Sequence, residues 1–182
     1  AYYQQLFAQC SRMMLALRQL PVPVIARVQG VATAAGCQLV AQCDLAVAAS
    51  EARFGVNGID VGLFCATPSV PLSRNMQPKQ AMEMLVTGGF IDAAEAQRRG
   101  LVNRVVPAAQ LDEEVQALLT AILAKPRVAL AMGKQLFYQQ AEMGIAAAYQ
   151  LAGQTMACNM MDDVAQEGVQ AFIDKREPTW RS

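Results

Sequence analysis

The feature that most constrains the fold is a strand, turn, helix and strand pattern between residues 24 and 49. The runs 24–28 and 45–49 are short and apolar, and both are predicted to be buried strands. A helix is predicted between them, from Ala34-Ala35-Gly36 to about Cys43. The residues at its beginning are very small, so the backbone of this turn can approach a ligand closely.

Helices and loops are predicted for most of the remaining chain. Residues 3–19 show the spacing of an amphipathic helix that ends before Pro21. Glycines and prolines favour a loop over 54–71. A capping box from Asp92 to Glu95 begins a predicted helix at 92–99, and Gly100 ends it. The other predicted elements are a helix at 79–87, a last strand at 101–106 and helices at 111–124, 127–142, 145–160 and 163–175. No further strand is predicted.

The order of these elements predicts a division of the chain into two parts. Strands occur only before residue 107, and helices alone follow it, which indicates a sheet-containing core at 1–107 and a helical region at 108–182.

Composition excludes several classes of function. Of 182 residues, 54% are hydrophobic and 16% are charged, which is typical of a globular fold with a sizeable core. Fifteen basic residues balance fifteen acidic ones without clustering, so no nucleic-acid partner is expected. The apolar runs are shorter than a membrane span, so membrane insertion is not expected either. No targeting segment is visible.

The chain has no histidine, which excludes catalytic triads and metal sites that use histidine. Its five cysteines lack the spacing of metal ligands or of a secreted disulfide scaffold. We therefore expect reduced thiols, no disulfide and no metal.

Several segments resemble the crotonase family, which is the enoyl-CoA hydratase/isomerase family. The first is a strand that ends in Gln29-Gly30, followed by Ala34-Ala35-Gly36-Cys37-Gln38-Leu39 and Cys43-Asp44. The family pattern has a strand ending in Asn-Gly, a triple-glycine turn, Cys-Glu-Leu and Cys-Asp in these places. Further segments that resemble the family, in the same order, are Ala52–Gly55, Leu85–Gly88, Ala96–Val102 and Phe172–Arg176.

The resemblance implies an α/β fold, a crotonase-type spiral of ββα units followed by C-terminal helices that pack into trimers and often hexamers. It covers about the last two thirds of a family domain, so we expect a longer natural protein with additional strands upstream. It also implies an acyl-CoA substrate, mitochondrial fatty-acid metabolism and no separate cofactor, because coenzyme A enters as part of the substrate. The Met-rich stretch 156–161 is interpreted as part of a trimer interface.

The resemblance also assigns candidate site residues. The backbone N–H of Ala35 corresponds to one of two donors that polarise the thioester carbonyl in this family. Gln38 and Gly58 stand where the family has its two catalytic glutamates, so both acid/base positions are altered. Asp60 is the nearest acid that could substitute for them. Cys65 is interpreted as pocket lining or core, because no basic neighbour is evident.

On the last helix, Phe172 and Lys175 correspond to an aromatic residue and a lysine that family members present to the coenzyme A of a neighbouring subunit. An apolar helix face with a solvated Lys175-Arg176 end explains them equally well. Three functions remain open at this point. The chain is an acyl-CoA-binding homologue without the standard acid/base pair, an active hydratase or isomerase that uses Asp60 or another acid, or a non-catalytic trimeric assembly protein.

Overall fold

The structure is a computed structural model that describes residues 1–180. These residues form two compact units. The first unit comprises residues 1–18 and 24–118, and the second comprises residues 19–23 and the chain from Leu119 onward. The predicted division after residue 107 stays a prediction, and the last two residues of its helical region lie outside the described residues.

Helices and strands alternate in the first half of the chain, and helices alone follow. The elements are α1 (Tyr2–Gln19), β1 (Ile25–Val28), β2 (Val31–Thr33), α2 (Ala35–Gln42), β3 (Leu45–Ala49), β4 (Arg53–Gly55), a 3-10 turn (Asn57–Val61), α3 (Ala66–Asn75), α4 (Pro78–Thr87), β5 (Ile91–Asp92), α5 (Ala93–Arg98), β6 (Arg104–Val106), a second 3-10 turn (Ala108–Gln110), α6 (Leu111–Leu123), α7 (Arg127–Gln140), α8 (Ile145–Met160) and α9 (Asp163–Ile173).

The strands form two small sheets in the first unit. One is the all-parallel sheet β1-β3-β6, in which Ile25 pairs with Leu45 and Val47 with Arg104. In the other, β2 pairs parallel with β4, and β4 pairs antiparallel with β5. Each pair of successive strands, β1 with β2 and β3 with β4, therefore contributes one strand to each sheet.

The central strand β3 is buried on both faces. Ala46 and Ala48 join the large core cluster that contains Phe54 and Leu72, whereas Val47 and Ala49 pack with Leu111 in a second cluster. Side chains of a strand alternate between its faces, so each face of β3 contributes to a different apolar layer. This burial confirms the prediction of a buried strand at 45–49.

The predicted loop at 54–71 is wrong in part. It contains the end of β4, a 3-10 turn and the first half of α3. Pro68 lies in the first turn of α3, where a backbone N–H has no intrahelical acceptor and its loss costs little. Pro71 lies inside the helix on the buried side, and Asn75 Nδ2 donates to its carbonyl at 2.8 Å. Proline was therefore a misleading loop signal here.

Three strands were not predicted, namely β2, β4 and β5. They contain three, three and two residues, which is too few for an alternating pattern to show in the sequence. The strand predicted at 101–106 is shorter than expected, because the N–H groups of Leu101 and Val102 donate to the Ala96 carbonyl and turn the chain out of α5. The capping box is confirmed, since Asp92 Oδ1 accepts from the Glu95 N–H at 2.8 Å.

The second unit is built from helices, as the sequence predicts. Asp162 caps α9 by accepting from the Val164 N–H at 2.9 Å, and Lys134 Nζ donates to the Val22 carbonyl at 2.9 Å. Trp180 Nε1 donates to the Ala124 carbonyl at 3.0 Å, which holds the end of the described chain against the end of α6. Among residues 1–180, no single helix is long and apolar enough to cross a membrane. One bent helix pair, residues 108–123 and 127–140, has the length and composition of a span, and this is weak evidence for one.

An ion-pair network at α5 generates a prediction about acid stability. The Glu95 carboxylate accepts hydrogen bonds from Arg98 and Arg99. These bonds, with that from Arg98 having the larger effect, lower the pKa of Glu95 to about 2 from a usual value of 4.5. A carboxyl group whose pKa is lower in the folded state contributes stability above its unfolded pKa, and that contribution is lost as the pH falls from about 4.5 to about 2. Glu95→Gln is therefore expected to lower the unfolding free energy at neutral pH, by an amount that shrinks through this window.

Chemical denaturation at several pH values, beside the exposed control Glu51→Gln, measures this effect. If the loss of unfolding free energy caused by Glu95→Gln does not change with pH, the ion pairs of Glu95 do not stabilise the fold as described.

Candidate functional site

The turn before α2 has an unusual backbone. Ala34 has a φ of +47°, a left-handed value that costs an L-residue about 1–2 kcal/mol, and its N–H donates to the Gly55 carbonyl at 2.9 Å. The helix begins at the next residue, Ala35, whose N–H has no intrahelical acceptor because it lies in the first turn. Ala35 is exposed, and no hydrogen bond from its N–H to another described residue is present. A donor without a protein acceptor therefore lies at the positive end of α2.

Strand pairing brings a second loop to the same place. β2 and β4 are parallel, and Thr33 at the end of β2 pairs with Gly55 at the end of β4. Thr33 Oγ1 also donates to Asn57 Oδ1 at 2.7 Å. The loop that carries Gly58 therefore leaves the sheet at the edge where α2 begins, so the structure brings Ala35 and Gly58 to one region.

Gln38 lies in the first turns of α2 and is buried, with 4% of its surface exposed. Its Oε1 is 3.9 Å from Cys10 Sγ, a weak hydrogen bond from the thiol on α1. A carboxylate in this environment would need a compensating partner, whereas a neutral amide needs only hydrogen bonds. The residue is compatible with its surroundings but cannot exchange a proton near neutral pH.

The space beside Gly58 is filled. A Cβ atom added at this position in ideal geometry would lie 2.5 Å from the Leu63 carbonyl oxygen and 2.8 Å from Cys65 Sγ. The Leu63 N–H donates to the Gly58 carbonyl at 2.9 Å, which closes the loop back on itself. The loop therefore admits no side chain at position 58. The glycines and prolines of 54–71 predict a loop, but they do not show that it folds back onto Gly58 with a turn at Gly62, which has a φ of +79°.

The thiols of this region are buried and unreactive in character. Cys65 is 7% exposed and belongs to the core cluster, which confirms its interpretation as a core residue. Burial raises the pKa of the nearby Cys37 thiol to about 12, so that it stays protonated at neutral pH. Residues 1–180 contain no cluster of three or more potential His, Cys, Asp or Glu metal ligands.

Asp60 lies in the same loop, and its side chain contacts Gly88. It is exposed, and its carboxylate packs against the backbone of Gly88 at the end of α4, where an added Cβ would be 2.7 Å from Asp60 Oδ1. The side chain therefore covers the end of α4.

Phe172 and Lys175 lie at the end of α9 in the second unit. Phe172 is 85% exposed, which is unusual for a large aromatic side chain. Lys175 has a φ of +54°, and the Arg176 N–H donates to the Ala171 carbonyl at 3.0 Å, as in a helix end that glycine normally occupies. The exposed ring of Phe172 is thus followed three residues later by Lys175, whose positive φ is costly for a residue other than glycine.

The same elements occur in known proteins. The model of the family described as enoyl-CoA hydratase/isomerase matches residues 2–182. This chain belongs to the enoyl-CoA hydratase/isomerase family. The resemblance read from the sequence and the crotonase-type α/β fold are both confirmed.

Individual relatives agree with this family. The chain is 48% identical over 179 residues to enoyl-CoA hydratase domain-containing protein 3, mitochondrial, of Rattus norvegicus, which covers 98% of this chain and 60% of the relative. The crystal structure of the human protein of that name is 46% identical with a TM-score of 0.95, over 98% of this chain and 71% of that one. A crystal structure named as an enoyl-CoA hydratase of Mycobacterium smegmatis is 62% identical with a TM-score of 0.98, over 100% and 70%. This chain spans about 60% of the length of the curated relatives.

The closed loop at Gly58 generates a prediction about stability. Gly58→Ala forces the Leu63 carbonyl or the Cys65 thiol to move, and we expect a loss of about 1–3 kcal/mol in unfolding free energy. Gly30→Ala is the matched control, because no atom lies within 4 Å of a Cβ added there, and we expect it to change stability by less than about 0.5 kcal/mol. Thermal and denaturant unfolding of both variants measure the difference, and equal stabilities would show that the loop opens freely.

Proposed function

We propose that this family member binds an acyl-CoA thioester at the turn before α2 and polarises its carbonyl, without the carboxylate chemistry of a hydratase. The observation that carries the proposal is the N–H of the exposed Ala35 at the beginning of α2, which has no acceptor among the described residues. Crotonase-family members bind acyl-CoA thioesters, and this chain belongs to that family. An N–H at a helix beginning stabilises negative charge on a thioester oxygen, because the helix dipole adds to the hydrogen bond.

The absence of hydration follows from the two neighbouring positions. Adding water to an enoyl thioester needs one group that takes a proton from water and another that supplies a proton to the α-carbon. Gln38 has no titratable proton, and position 58 has no side chain and no room for one. Neither position can supply acid/base chemistry. Polarisation of the thioester carbonyl by the Ala35 N–H is therefore the chemistry that remains at this turn.

The biological setting is proposed from the relatives. The proposed setting is fatty-acid metabolism in a mitochondrion. The name of the animal relatives, which are 44–48% identical, supports the mitochondrion, and the family resemblance supports the fatty-acid role. The 62% identical relative from Mycobacterium smegmatis shows that similar chains also occur in a bacterium. No separate cofactor is required by this proposal, because coenzyme A enters with the substrate.

We also propose assembly into a homotrimer or hexamer through the helical region. Met156, Met160 and Met161 are 68%, 50% and 77% exposed in the isolated chain, although methionine is an apolar residue usually found inside proteins. Their clustering at the end of α8 supports an interface with further copies of the chain.

A second candidate function is an active hydratase, which the name of the Mycobacterium smegmatis relative favours. In this chain it would need an acid other than residues 38 and 58. Asp60 is the nearest, but its carboxylate is engaged at Gly88. This candidate requires that crotonyl-CoA is converted and that Asp60→Asn abolishes the conversion.

Removing the Ala35 donor tests the proposal. Proline lacks an N–H and suits the first position of a helix, and glycine at position 34 accepts the positive φ without strain. Compared with Ala34→Gly alone, the double variant Ala34→Gly/Ala35→Pro is expected to bind an acyl-CoA about two- to tenfold more weakly. The infrared band of a ¹³C-labelled thioester carbonyl should shift on binding to the control and shift less on binding to the double variant.

Free coenzyme A should bind both variants equally, because it lacks the thioester carbonyl that the Ala35 N–H is proposed to contact. If the two variants bind and polarise the thioester alike, Ala35 is not the donor. If neither the parent protein nor its variants bind acyl-CoA by calorimetry, the chain is better described as a non-catalytic assembly protein.

The unusual backbone at Lys175 provides a separate test of the coenzyme A contact. Lys175→Gly relieves the positive φ and is expected to raise the unfolding free energy by about 0.5–1 kcal/mol. The same change removes a cation for the phosphates, so acyl-CoA affinity should fall while stability rises. Lys175→Arg keeps the charge and should retain most of the affinity. Unchanged acyl-CoA binding by Lys175→Gly would exclude Lys175 from contact with the coenzyme A of a neighbouring subunit.

A further inference from the structure

The second unit contains a groove. None of the residues discussed above for thioester binding belongs to its lining. Its volume is about 680 Å³, within the range of about 300–1,000 Å³ typical of small-molecule sites. Leu123, Val128, Val164 and Trp180 belong to its apolar lining, and Lys125 and Arg127 also line it. We refer to these six residues as the Trp180 groove.

The apolar wall of the groove is held in place by hydrogen bonds. Trp180 Nε1 donates to the Ala124 carbonyl at 3.0 Å, and the edge of its ring lies 3.2 Å from where a Cβ on Gly168 would be. The preceding residue is also fixed, since the Thr179 N–H donates to Glu167 Oε1 at 2.8 Å. The only polar atom of the indole is therefore satisfied, and the ring offers apolar surface to the groove.

The groove lining also carries two basic side chains. Lys125 and Arg127 flank Pro126, and both are exposed. Neither makes an ion pair or a side-chain hydrogen bond with any residue between 1 and 180. Arg127 is also the first residue of α7, so the positive end of a 14-residue helix lies beside the two cations. The two cations are thus not held by an ion pair within this part of the chain, and they lie next to apolar surface that could accept the rest of an anionic ligand.

We propose that the Trp180 groove binds an alkyl carboxylate, that is, the anion of a medium- or long-chain fatty acid. The carboxylate would lie against Arg127 and Lys125, where the guanidinium can donate two parallel hydrogen bonds. The alkyl chain would cover Val128, Val164 and the face of Trp180. This proposal is independent of the thioester site, since it uses other residues and needs no coenzyme A.

Trp180 is the only tryptophan of the chain, so its fluorescence reports on the groove directly. We expect dodecanoate to change the emission of Trp180 in a saturable manner. Octanoate should bind more weakly, by about two- to fourfold for each methylene removed that the groove would have buried. Butyrate and 1-dodecanol should bind at least tenfold more weakly than dodecanoate, because each lacks one of the two features that the groove recognises.

Variants separate this site from non-specific uptake of fatty acid. Lys125→Gln/Arg127→Gln should weaken dodecanoate binding at least tenfold, and calorimetry should give the same result as fluorescence. The control Arg12→Gln/Lys79→Gln removes the same charge from exposed residues on α1 and α4 and should bind like the parent protein. Ala131→Phe fills the groove from α7 and should also abolish binding.

Three results would overturn the proposal. They are equal dodecanoate affinity in the two charge-removal variants, equal affinity for dodecanoate and 1-dodecanol, and no saturable signal by either method below the micelle concentration. If Ala131→Phe unfolds the protein, the charge variants decide the question alone, because exposed glutamines at positions 125 and 127 leave the packing unchanged.

Discussion

The hydrogen bond from the Ala34 N–H to the Gly55 carbonyl is the contact on which the candidate site depends. It joins the turn before α2 to the end of β4 and holds Ala34 in a backbone conformation that alanine rarely adopts. Because the bond consumes the N–H of residue 34, the N–H of residue 35 becomes the first one that is free for a ligand. The parallel pairing of β2 with β4 then brings the loop at Gly58 to the same edge.

That loop shows that backbone can fill the space that a side chain would otherwise occupy. The place of a side chain at position 58 is taken by the Leu63 carbonyl oxygen and the Cys65 thiol. A glutamate introduced there would meet the Leu63 backbone, and a buried glutamate at position 38 would need a compensating partner when ionised. Gln38 and Gly58 are thus both part of the packing of the first unit.

Much of the fold was predictable because its signals are local. The apolar run at 45–49, the spacing of α1 and the capping box at Asp92 each depend on residues close in the sequence, and all three predictions are confirmed. The strands β2, β4 and β5 were missed because two or three residues carry no periodicity, and they exist only through pairing with distant segments. The same limit applies to the site. The motif led to positions 35, 38 and 58, but the contact between Leu63 and Gly58 depends on how the loop folds back.

The burial of β3 on both faces also limits how the chain can change over time. Ala46, Ala48 and Ala49 are at most 2% exposed, and their small side chains set the spacing between the sheet and the layers on either side. A larger residue at any of them would push neighbouring layers apart, and glycine would loosen the strand. Substitutions among homologues should therefore be rarer along this strand than on the exposed face of α7. Small residues at these positions should then identify a distant family member more readily than its surface charges do.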